Sequence, residues 1–213
     1  MRLNILSIVL TLAGLSAAAP SLSFEIEHQE SFTSSSLEPE ILRIISTADI
    51  ELFAPLITGF QASNPKVTVN YHEVSSTELM RALQDEKAPY DIAVSSAMDL
   101  QTKLANDGLA LAHSSVATTL LPGWGKWHDY VFAFTQEPAT IVISTKDFGD
   151  LPLPKTRQDL ISILRDHPDR FRGRVGTYDV RSSGLGYLFA TQDARTSETF
   201  WRLAEVMGNL DIQ

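Results

Sequence analysis

The sequence predicts an α/β fold with a parallel-rich sheet, and three observations carry that prediction. From residue 41 onward, short apolar runs alternate with amphipathic stretches in the order strand, helix, strand, helix, strand, helix. Runs within 41–49, 90–99 and 174–188 each empty into a loop of small hydroxyl residues and then into a helix. The first strand, 41–45, is an apolar run broken only by Arg43, close to what a strand covered on both faces should show.

In chain order, residues 1–23 read as an export signal, with Arg2, an apolar stretch over 5–15 and the alanines 17–19. That stretch is shorter than the ~20 residues a membrane span needs. Cutting after Ala19 would leave Pro20 first, so cleavage after Ser23 is expected. Residues 24–39 carry Glu25, Glu27, Glu30 and Glu38 with no basic residue, and read as a flexible mature N-terminus. The helix after the first strand should turn Leu56, Ile57 and Phe60 inward, with Pro55 marking its start or a kink.

A second strand over 67–74 follows the Asn64-Pro65 turn, and Ser75 with Glu78 forms a capping box for a helix holding Leu79, Met80 and Leu83. Residues 91–94 make a third strand, and Ser96 opens a helix with Leu100 and Leu104 inward. Pro122, Gly123 and Gly125 then break the period. Strand-like runs over 130–134, 139–144 and 175–178 follow, with helices capped by Thr156 and spanning 185–190. In the last helix Phe200, Leu203, Ala204 and Met207 share a face, with Gly208 just beyond it. The division expected is a first lobe over 40–135 and a second over 136–213.

Composition removes several function classes. A net charge of −9 argues against nucleic acid or an anionic membrane surface as partner. No cysteine is present, which excludes disulfides, thiolate metal sites and a cysteine nucleophile. There is no Walker loop, no HExxH and no Gly-x-Ser-x-Gly elbow, and the five histidines lack metal spacing. No enzymatic activity, metal or cofactor is expected.

The stretches IISTADIELFAPLITGFQASNPKVTVNY, PYDIAVSSAMDLQTKLANDGL and FRGRVGTYDVRSSGLGYLF, taken in order, resemble the periplasmic solute-binding proteins of ABC importers. The resemblance is to the branch with iron(III) and phosphoglycerate receptors, and it covers residue 42 to the end. It implies a two-lobed periplasmic-binding-protein-like fold (type II), a periplasmic, monomeric receptor, and a membrane permease as partner. A sensor kinase is the alternative partner, as for phosphoglycerate receptors, and iron(III) the alternative ligand. Two departures matter. Val180 stands where relatives carry Pro, and Asp49 and Ser96 stand where iron-binding members carry His and Glu. A small anionic solute therefore fits better than iron. The family also implies a longer chain, so the second lobe is expected to be incomplete and the chain poorly stable alone.

The candidate ligand residues lie beyond the carboxyl ends of strands, where open α/β sheets bind. Thr47 would offer a hydroxyl and an N–H, or serve as a plain turn or cap. Ser95 and Ser96 stand at the equivalent place one unit later, with Ser96 the expected N-cap. Arg181, Ser182 and Ser183 follow the second-lobe strand; Arg181 would grip a carboxylate or phosphate bidentately, or pair with Asp179. Gly184 would let backbone approach closely. Trp124, Trp127 and Tyr130 would pack at the seam between lobes or stack on a sugar, and Asp49 would cap a helix or bind a cation.

Overall fold

A computed structural model describes residues 24–136 and 138–210, so the expected export signal lies outside the described residues. The first unit is a four-stranded sheet. Strand β2 (Glu40–Ser46) lies centrally, parallel to β3 (Val67–Glu73) on one side and β4 (Ile92–Val94) on the other. Strand β1 (His28–Phe32) closes the far edge antiparallel to β3, giving the order β1-β3-β2-β4. Register aligns Ser46 with Glu73 and with Val94, so all three parallel strands deliver their next residues to the same edge.

Helices cover both sheet faces, as a parallel sheet requires. On one face α1 (Ile50–Ser63) sets Ile57 against Ile44, Val69 and Tyr71. On the other, α2 (Ser76–Met80), the π-helical turn that continues it over Arg81–Asp85, and α3 (Met98–Asn106) pack Leu79, Ala82 and Leu104 against Ile45 and Val74. Alternation along β2 sends Ile44 to the first core and Ile45 to the second.

The segment expected to be flexible, 24–39, is instead built into this unit. β1 pairs along its whole length with β3, and Phe24 is buried among Ile45, Val74 and Leu79. Phe24 and Ile26 pack on the Ile45 side of the sheet and Phe32 on the Ile44 side, apolar anchors that the glutamates between them hide. Helix α1 also departs from expectation. It begins at Ile50 and runs through Pro55, but it buries Ile57 alone, while Leu56 is 57% exposed and Phe60 41%.

Beyond α3 come the short helix α4 (Val116–Thr119) and a two-stranded ribbon, β5 (Lys126–Trp127) with β6 (Val131–Phe132). A third core then gathers α5 (Thr145–Phe148), α6 (Arg157–Asp166), α7 (Pro168–Phe171) and α9 (Phe200–Gly208) around Phe148, Ile161, Phe171, Val206 and Leu210. The Thr156–Asp159 capping box closes reciprocally and turns Leu160, Ile161 and Leu164 inward as expected. In α9 Val206 is buried and Leu203 half-buried, joined by Leu210 just past the helix, a line rotated from the expected face; Gly208 is the last helical residue, with Asn209 beyond it as the cap. Helix α8 (Gly184–Thr196) lies between the two units.

Two expected strands are unpaired among the described residues. Residues 139–144 and 175–178 form no ladder; both line a crevice of about 2760 Å³. A strand is defined by hydrogen bonds to a neighbour, which apolar composition alone does not supply. Among the described residues, no helix is long and apolar enough to cross a membrane.

Candidate functional site

The carboxyl edge of the sheet brings the first two predicted loops into contact. The Thr47 N–H donates to the Val94 carbonyl at 3.0 Å, extending the β2–β4 ladder by one residue. The Thr47 hydroxyl donates to Ser95 Oγ at 3.2 Å, and Ser95 Oγ also accepts the Ala97 N–H at 3.1 Å. Ser95, not Ser96, thus organises the turn into α3. Ala97 occupies the N-cap position with no side-chain cap, and the Ser96 side chain is exposed with its carbonyl accepting the Met98 N–H.

The start of α1 is occupied by a carboxylate that sequence reasoning missed. Asp49 sits at the N-cap but makes no side-chain cap bond; Glu73 Oε2 accepts the Ile50 N–H at 3.0 Å from the end of β3. Glu73 Oε1 lies 3.3 Å from His28 Nδ1. A negative charge there suits the positive end of the helix, so that end is already satisfied by the protein. Beside it the buried Tyr71 hydroxyl donates to the Ala48 carbonyl at 2.8 Å, and burial pushes its pKa up to about 12. The available signal was an acidic residue on the face of β3 that otherwise carries Val69 and Tyr71.

The third loop folds around Asp179. Its carbonyl accepts the Ser183 N–H at 2.8 Å, and both carboxylate oxygens bind Arg181, with Nη2 at 2.7 Å. The Arg181 bonds hold Asp179 down to about 2 and raise the guanidinium in turn. The Arg181 side chain is 87% exposed, so this pair is a surface one. Ser183 Oγ accepts the Gly186 N–H and caps α8.

This loop touches the sheet unit directly. The Thr77 hydroxyl reaches the carbonyl oxygens of Arg181 (3.2 Å) and Ser182 (3.3 Å). A Cβ on Gly184 would stand 2.8 Å from Ala97 Cβ, 2.9 Å from Leu100 Cδ1 and 3.0 Å from Ser76 Cβ. Helices α2, α3 and α8 therefore begin at one place, and the path Thr47, Ser95, Ala97, Gly184 is continuous.

Ser95 and Ser96 line the large crevice together with Tyr178 and Gly186, whereas Thr47, Arg181, Ser182 and Ser183 lie outside its lining. Trp124, Trp127 and Tyr130 also line it, with Trp124 largely exposed and Trp127 Nε1 donating to Asn106 Oδ1 at 3.1 Å. Three basic side chains on its wall are paired: Arg157 with Asp193 (2.7 Å), Arg174 with Asp147 (2.7 Å) and Lys126 with Asp129 (3.3 Å). Among the described residues, no three metal-ligating side chains cluster.

The model of the bacterial extracellular solute-binding protein family matches residues 46–212, which takes in all three loops. The chain belongs to that family. A solved relative, the substrate binding protein of the ABC transporter from Agrobacterium tumefaciens, matches with a TM-score of 0.82 at 32% sequence identity. The match covers 87% of this chain and 57% of that one, so the chain spans little more than half the relative's length. No curated protein matches the sequence significantly. These relatives are transport proteins rather than enzymes, and the α/β architecture with its parallel-rich sheet is theirs.

Proposed function

We propose that this chain is the solute-capturing part of an ABC import system, exported to the periplasm, where it delivers a small anionic solute to a membrane permease. The observation that carries this reading is the junction of the Thr47–Ser95 pair with the starts of α3 and α8. The positive ends of a nine-residue and a thirteen-residue helix meet there beside small hydroxyl side chains. Ser95 Oγ already accepts two donors, which leaves its own proton for a solute oxygen. Arg181 is exposed enough to exchange Asp179 for a solute carboxylate or phosphate. A few charge-assisted bonds of this kind are enough for micromolar affinity, about −8 kcal/mol.

A second reading, a neutral polyhydroxyl solute, is favoured by the paired cations and by the Trp124, Trp127 and Tyr130 side chains on the crevice wall. Thermal-shift measurements on the purified chain with 3-phosphoglycerate, citrate, inorganic phosphate and glucose separate the two. The anionic reading expects Tm to rise with one of the anions and the rise to vanish in Ser95→Ala and Arg181→Ala. A rise with glucose alone, or identical rises in both variants, overturns it.

A further inference from the structure

We infer that Thr77 and Gly184 form a latch: together they dock the start of α8 on the starts of α2 and α3 and so set how far the crevice closes. The inference rests on the solute-binding reading and assigns the closure to the packing of Thr77 and Gly184 across the junction.

Gly184 is helical and lies outside the left-handed region, so backbone conformation does not demand glycine there. The demand is for space. Carbon atoms settle at about 3.5–4.0 Å, and the three nearest atoms a Cβ would meet lie at 3.0 Å or less. Two of those neighbours have little room to yield. Ala97 is fully buried and its N–H is tied to Ser95 Oγ, while Ser76 is buried at the first turn of α2 beneath the Ser75 cap. The glycine therefore lets backbone of one unit touch side chains of the other.

Thr77 supplies the polar half of the latch. Its single hydroxyl is shared between two carbonyl oxygens more than a hundred residues further along the chain. Those carbonyls belong to the loop carrying Arg181, so movement of the latch moves the guanidinium relative to Ser95. The crevice opens beside this contact, with Ser95 and Ser96 on one wall and Leu185 and Gly186 on the other.

The test exploits the absence of cysteine. Ser76→Cys places one thiol under the α8 start, where maleimide labelling of an otherwise unchanged chain reads opening with no solute present. Labelling should be slow in Ser76→Cys and at least tenfold faster when Gly184→Val is added, with far-UV circular dichroism retained. Thr77→Val, which keeps the side-chain shape, should speed labelling at least threefold in the same background and serves if Gly184→Val does not fold. Equal labelling rates with and without Thr77→Val, or with a folded Gly184→Val, overturn the latch. Because no solute enters the assay, faster labelling beside a flat thermal-shift panel would refute the solute reading and leave the latch standing.

Discussion

Thr47 and Ser95, 48 residues apart in the chain, meet hydroxyl to hydroxyl at 3.2 Å on the carboxyl edge of the sheet. Parallel pairing of β2 with β4 puts them there, since Ser46 and Val94 share a register position and each strand gives up its next residue at the same edge. Replacing Ser95 by Ala removes the acceptor for both Thr47 and the Ala97 N–H and should cost about 1–2 kcal/mol. Thr47→Val should cost less, and a double-mutant cycle in urea should return a coupling of about 0.5–1 kcal/mol between the two.

Phe24 tests the ordered N-terminal segment. A flexible arm would tolerate Phe24→Ala without cost, whereas a ring buried among Ile45, Val74 and Leu79 predicts a loss of about 3–5 kcal/mol in urea unfolding.

Asp179 and Arg181 give a pH prediction. The carboxylate is held at about 2 in the folded chain, below its ordinary 3.8, so the pair's contribution is complete above pH ~4. It is lost as pH falls from there through 2. A carbon-detected NMR titration should place the Asp179 midpoint near 2 and return it toward 3.8 in Arg181→Ala.

Tyr71 titrates with the opposite sense. Burial raises it to about 12, so the stability linked to its neutral hydroxyl is present below pH 10 and lost as pH climbs from 10 through 12. Ultraviolet titration should show one tyrosine ionising last, and Tyr71→Phe should abolish that late step while costing about 1 kcal/mol through the lost bond to Ala48.

Much of the sheet unit was legible because its signals are local. Strands β2, β3 and β4 announce themselves by apolar runs ending in hydroxyl loops, and Thr156 with Asp159 is a capping box by spacing alone. The Ser75–Glu78 box is half of one. Ser75 accepts the Glu78 N–H, but the Glu78 carboxylate turns away to the Glu25 N–H and to Arg81. A partner fifty-three residues distant decided that, and no window around Ser75 contains it.

The same cause explains the other departures. Residues 139–144 and 175–178 have strand composition without a neighbour, and α1 has an apolar stripe wider than the surface it meets. Within the candidate site, Thr47 and Ser95 were legible from strand-end position. Glu73 at the α1 start and Asp179 on Arg181 were not resolved beforehand, because each depends on which oxygen reaches a donor first in three dimensions.

The most direct test of the solute-binding account is amide NMR mapping of the chain titrated with 3-phosphoglycerate or citrate. The account predicts saturable shifts centred on Ser95–Ala97 and Ser182–Gly186, with both groups moving at one common midpoint. Saturable binding with those amides still, or shifts confined to the α1 surface or the β1 edge, would contradict it.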